Sequence, residues 1–252
     1  MLTKFRSVLV VLSLLLPSAV RAEGLIDQLP PDGTWSRFEF DVSGSEPGGK
    51  DVAMKGTVTL SSVGVVRVEG EVCRWLEIRM EMKHQGQPFT HIWKLLIPEK
   101  SLRKGADPLA RVHRLGHKLS QVAGGVTQEI PDLKGTGAPQ LTSLRRFLRG
   151  PIQDTQELSP VTVETRRGTL VCGGRKAQEK GRKTQEKTDQ PDQSSHDWTY
   201  ITRLHNSVPF GVVTQDYTMR VQQDGKETGQ TIGKMKLIDF GKGAKTEIPA
   251  FK

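Results

Sequence analysis

Six histidines and two cysteines are the residues of this chain best suited to hold a metal or to attack a substrate. His113 and His117 stand four apart, which on a helix would put both imidazoles on one face. The residues between them, Arg114-Leu115-Gly116, lack the glutamate a zinc protease uses as its base, and two imidazoles leave a metal short of ligands. A solvated helix face beside Arg111 and Arg114 is the expectation, with no metal and no cofactor. Carboxylates such as Asp41, Glu77 and Glu81 fall on the polar side of alternating strands, where solvated charge is the ordinary state. No GxSxG, P-loop or GxGxxG stretch occurs. No catalytic residue is assigned, and the chain is expected not to be an enzyme; an envelope hydrolase is the least favoured reading.

Cys73 and Cys172 are an even count, which in an exported chain meets an oxidising compartment. A Cys73–Cys172 disulfide would close a loop worth on the order of 4 to 5 kcal/mol in the chain-entropy picture. Two buried free thiols are the alternative, because spacing says nothing of the Cα separation a bridge requires. Neither cysteine has a CxxC partner, so redox catalysis and zinc are poorly supported.

A row of apolar residues offers a different chemistry. Leu76, Ile78, Met80 and Met82, with Trp93 and Leu95 on the following strand, would line the concave side of a curved sheet. Methionine adapts to flexible apolar guests, so this row is the candidate lining of a ligand site. Its alternative role is an ordinary core beneath the helices expected further along the chain.

The elements that must position these residues alternate with a period of two. Phe38, Phe40 and Val42 are interleaved with Arg37, Glu39 and Asp41; Met54, Val58 and Leu60 with Lys55, Thr57 and Thr59; Leu76 to Met82 with Glu77, Arg79 and Glu81. Strands wet on one face and buried on the other belong to antiparallel sheets. Ile92 to Ile97 is apolar on both faces, which predicts a strand covered twice. Asp107-Pro108 followed by Leu109, Val112, Leu115, Leu119 and Val122 predicts a helix ended by Gly124-Gly125. Leu141, Leu144 and Leu148 predict a second, closed by Gly150-Pro151. Hairpins are expected at Arg166-Arg167-Gly168 and Asp224-Gly225. The fold class is therefore α+β: a curved antiparallel sheet, or half-barrel, partly wrapped around two or three short helices.

Residues 1–22 read as a secretory signal, with Lys4 and Arg6 ahead of the apolar run Val8 to Leu16 and a small residue at Ala22. That run is too short to cross a bilayer, which takes about 20 residues. Residues 23–252 are expected as one half-barrel-like domain, with no transmembrane segment after cleavage and an exported location, periplasmic or extracellular. The formal charge of +9 then misleads, since the signal carries three basic residues and no acid. The stretch Arg175 to Thr188 is a heptad written twice, RKAQEKG and RKTQEKT, with six basic and two acidic residues. It holds no aliphatic residue larger than Ala177, so a mobile polar insert is expected at about 174–197. What remains is close to neutral. With aromatics at 6% and not interleaved with basic residues, a nucleic-acid partner is not expected.

The order of parts, an exported chain with meandering strands, a central helical pair and returning hairpins, resembles the periplasmic lipoprotein-carrier (LolA-like) half-barrel. Pro31-Asp-Gly-Thr-Trp35, Trp93-Lys-Leu-Leu-Ile-Pro-Glu-Lys100 and Val208-Pro-Phe-Gly-Val-Val213 are similar to stretches of uncharacterised exported bacterial proteins of that shape. The resemblance implies acyl-chain binding on the concave face and assigns no functional residue. The expected function is a non-catalytic cell-envelope protein that binds an apolar or lipidated ligand, a lipoprotein or an envelope partner. The alternative is a structural or surface-interaction domain with a filled core.

Overall fold

The alternation around Phe38, Val58 and Ile78 produces long antiparallel strands, and the same pattern continues through most of the chain. The computed structural model describes residues 21–22, 24–45, 49, 51–84, 87–120, 126–130, 144, 147–148, 151–152, 155–183, 195–223 and 225–249. Thirteen strands are found there: β1 Arg21–Ala22, β2 Thr34–Ser45, β3 Asp51–Val68, β4 Glu71–His84, β5 Gln87–Pro98, β6 Arg114–Ser120, β7 Val126–Ile130, β8 Pro151–Ile152, β9 Thr155–Thr165, β10 Gly168–Lys183, β11 Ser195–Leu204, β12 Val212–Gln223 and β13 Lys226–Lys242. Strands β1 and β8 pair with each other. The other eleven form one antiparallel sheet in the order β7-β6-β5-β4-β3-β2-β13-β12-β11-β10-β9. Two meanders, each simple in sequence order, are thus joined edge to edge where β13 pairs β2, with Met235 opposite Phe40 and Leu237 opposite Phe38.

The sheet curls strongly. Three strands separate β9 from β13, a distance of about 19 Å in a flat sheet with the usual inter-strand spacing. Their Cα atoms nevertheless come within 8 Å. At the β9–β10 turn, Arg167 Nε donates to Asp239 Oδ1 on β13 at 2.8 Å, and the guanidinium lies over the Phe240 ring. Gly168 in that turn has φ +107°, which glycine adopts without the steric cost other residues would meet, as the hairpin reading requires.

The expected α+β class is corrected: the described chain is almost wholly antiparallel β. Where the first helix was expected, Asp107 caps a turn by accepting the Leu109 N–H at 2.9 Å, and the chain then extends into β6 against β5. Leu115 and Leu119 are four apart, so they share a face in a helix and in a strand alike. The unpaired edge of β5 decides between the two, because its backbone groups need partners, and Gly116 weakens the helical option. The second expected helix falls mostly outside the described residues; of it, the N–H groups of Phe147 and Leu148 both donate to the Leu144 carbonyl. Elsewhere among the described residues, helical structure is a single 3-10 turn, Glu99–Leu102. Of the central helical pair that contributed to the lipoprotein-carrier resemblance, the first member is therefore a turn followed by a strand.

Residues 174–183, read from composition as part of a polar insert, are the second half of β10, while 184–194 lie outside the described residues. Arg175 and Ala177 are buried, while Gln178 and Lys180 are exposed. The heptad is an amphipathic strand whose buried face is made of one small side chain and one arginine.

After β13 the chain reaches β4 and β5 and covers their outer face. Glu77 accepts hydrogen bonds from the Thr246 hydroxyl, the Glu247 N–H (2.8 Å) and the Ile248 N–H (3.2 Å). Lys94, directly opposite Glu77, donates to Thr246 Oγ1 and to the Ile248 carbonyl at 2.7 and 2.6 Å. The two side chains are only 4% and 5% exposed, so Glu77 is not the solvated charge its strand pattern suggests. Burial lowers the Lys94 pKa, and Glu77 opposes that shift. Ile92, Leu96 and Ile248 are buried on the same side, which accounts for the doubly covered strand.

Candidate ligand-binding site

Every proposed lining residue lies on the inner face. Leu76 is opposite Leu95, Ile78 opposite Trp93, and Met82 opposite Phe89. The rows differ in what lies above them. Leu76, Ile78 and Leu95 belong to the apolar core that also holds Leu25, Ile26, Leu102, Leu144, Leu148 and Phe210. They are covered, and a ligand there would have to displace core side chains. Met80 and Trp93 lie at the margin of this core.

Toward the other end of the same strands the face opens. Met54 and Met82 are partly buried against the core, Phe89 is half-buried, and Leu119 on β6 is 37% exposed. Gly56 sits between Met82 and Phe40, and the Phe40 ring occupies the space its side chain would take: a Cβ there would lie 2.8 Å from Cζ. Met54 was readable from the β3 alternation. Phe89 and Leu119 were not, because their positions depend on strand register.

Beside this opening His91, Trp93 and His117 stack. Ring centroids are 4.9 Å apart for His91 and Trp93 and 5.4 Å for Trp93 and His117. The His91 Nδ1 to His117 Nε2 distance is 2.8 Å, so one ring donates to the other. Burial, and secondarily His117, pushes the His91 pKa down to about 4; burial alone lowers that of His117. The pair is neutral at neutral pH and presents ring faces rather than charge. His117 is therefore an inner-face strand residue, in place of the solvated helix position expected for it, and His113 precedes the strand.

The inner face changes character along one continuous row. From Phe89 it passes through Met82, Gly56, Phe40 and Met235 to Gln215, Thr202 and Arg175. Arg175 is fully buried, and its NH1 donates to Asp27 Oδ1 at 2.7 Å. Trp198, Tyr200 and Tyr217 continue the far half, with the rings of Trp198 and Tyr200 stacked at 5.7 Å. One half of the face is mainly aliphatic, with Phe38, Phe40 and the His91–Trp93–His117 stack set into it, and the other carries polar side chains beside the Trp198, Tyr200 and Tyr217 rings.

The expected Cys73–Cys172 disulfide is not formed: both thiols are free and buried. Cys73 shares the outer side of β4 with Glu77, whereas Cys172 belongs to the inner core. The sheet itself stands between them.

No protein-family model and no curated protein matches the chain. Among solved structures, an exported-type protein with a YmcC-like fold from Bacteroides fragilis aligns at 10% identity and TM-score 0.34, covering 86% of this chain and 99% of that one. A lipoprotein-type chain from Parabacteroides distasonis aligns at 9% and 0.33, covering 86% and 98%. A DUF1329 family protein from Desulfovibrio piger aligns at 9% and 0.31, covering 84% and 86%. At these scores they carry no inference about this chain.

Proposed function

We propose that this chain is an exported, non-catalytic envelope protein that takes an apolar or lipidated guest at the open end of its inner sheet face. One observation carries the reading: Met54 and Met82, packed on the edge of the core, Phe89 opposite Met82 and Leu119 opposite His91 are partly uncovered apolar side chains on the concave side of a curled sheet. Flexible thioethers and ring faces suit an acyl chain better than a rigid polar ligand. The exported location rests on the basic start and apolar run of residues 1–22.

Mass spectrometry of protein extracted without denaturant tests this, together with displacement of a fluorescent fatty acid. Expected are a co-purified lipid and saturable probe binding that Met82→Glu or Leu119→Glu removes while the circular dichroism spectrum stays β-rich. A folded protein with neither lipid nor probe binding would overturn it. That outcome favours the second reading, a filled structural domain, for which the complete burial of Ile78 and Leu95 speaks.

A further inference from the structure

We propose that Glu71, Cys73 and His113 form a mononuclear site for a soft divalent transition metal, zinc(II) foremost. It lies on the outer side of β4, away from the apolar patch, and does not depend on the ligand-binding reading. One ligand atom from each residue lies within 4.8 Å of the other two. Tetrahedral zinc, with bonds of about 2.0 to 2.3 Å, holds its ligand atoms about 3.3 to 3.8 Å apart. The triangle therefore has to contract by about 1 Å, which small side-chain rotations supply.

One of the three groups, the His113 imidazole, lacks a hydrogen bond that burial demands. His113 Nε2 is a buried atom with no hydrogen-bond partner, 3.8 Å from Glu71 Oε2, whose one close contact is the half-exposed Arg111 guanidinium. Polar atoms in that condition cost stability unless something satisfies them. The third, the Cys73 thiol, is fully buried and makes only a weak bond to the Glu71 carbonyl at 3.7 Å. The scaffold is firm: Glu71 and Cys73 are two apart on one face of β4, and the His113 N–H is anchored to the Leu96 carbonyl on β5 at 2.9 Å. A thiolate, an imidazole and a carboxylate are the donor set that zinc accepts, with a fourth position left for water.

Charge balance follows. Lys100 contacts Glu71 Oε1 at 2.6 Å and can stay there, while Arg111, 3.0 Å from Oε2 and half-exposed, swings outward when the metal takes that oxygen. On binding, the Cys73 S–H bond breaks, Sγ donates its electron pair to the metal, and one proton passes to the buffer.

Cobalt(II) titration of the purified full chain under reducing conditions tests the site. Expected are one equivalent bound, a thiolate-to-cobalt charge-transfer band, and displacement by zinc(II). Cys73→Ser removes the band, whereas Cys172→Ser and His91→Gln leave it unchanged. His113→Gln weakens binding by about 100-fold or more, since even outer-shell losses cost 10- to 100-fold. Should Cys73→Ser not fold, Glu71→Gln and His113→Gln carry the test, and unchanged affinity in both would overturn the proposal. So would a folded native chain without the band, or a band that survives in folded Cys73→Ser.

Discussion

Glu77 on β4 and Arg175 on β10 are buried charged side chains on opposite faces of the same sheet. In β4 the inner residues Leu76, Ile78 and Met80 are apolar up to Arg74, which pairs with Glu99 at the end of the row, and Glu77 is on the outer face under Thr246 to Ile248. In β10 the charge is inside: Arg175 takes an inner-face position and meets Asp27 from the N-terminal segment. Aliphatic burial is non-directional and tolerates any apolar neighbour. A buried charge depends on particular partners: Asp27 reaches Arg175 from the N-terminal segment, while Glu77 has Lys94 on the adjacent strand and the N–H groups of Glu247 and Ile248 from the C-terminal one. The near half of the sheet is thus held by composition, and both charged sites by long-range geometry.

The largest effect is expected at Glu77. Glu77→Ala leaves Lys94 buried without its counter-charge and the N–H groups of Glu247 and Ile248 without their acceptor, and should cost about 3 to 5 kcal/mol in urea unfolding. A loss below about 1 kcal/mol would mean that the C-terminal segment does not seal this face. Arg175→Met comes next, at about 3 kcal/mol, because Asp27 stays buried and loses its partner. Adding Asp27→Leu should recover most of that loss; if the double variant is no better than the single one, the ion pair does not explain the cost. Leu95→Ala on the aliphatic half should cost about 2 to 3 kcal/mol through the cavity it leaves, with no dependence on salt or pH.

The smallest effect is a pH dependence at His91. The unfolded imidazole titrates near 6.5 and the folded one near 4, so between these values the unfolded chain binds the extra proton. The stability that neutral His91 contributes is complete above pH 6.5 and is lost as pH falls toward 4. His91→Phe should flatten that part of the stability profile. A proton NMR titration placing His91 near 6.5 would show that it is solvated instead.

Much of the β architecture was readable from residue types. The periods around Phe38, Val58 and Ile78 became β2, β3 and β4, the apolar run Ile92 to Ile97 became a strand covered on both sides, and the glycine at 168 marked its hairpin. Leu109 to Val122 was misread because leucines four apart satisfy both a helix and a strand. The six candidate lining residues share one face, and the pattern could not tell covered Leu76 from half-buried Met82, since both occupy the same parity.

The chain's own sequence determined which residues point inward along β2, β3 and β4, because side-chain direction follows from a two-residue period and apolar burial needs no named partner. Tertiary structure alone decided that Arg175 lies inside, that Glu77 is sealed outside, and that Cys73 and Cys172 stand on opposite sides of the sheet. Each of those outcomes depends on which distant segment arrives to supply a counter-charge, a hydrogen bond or a cover, and local spacing carries no record of that arrival.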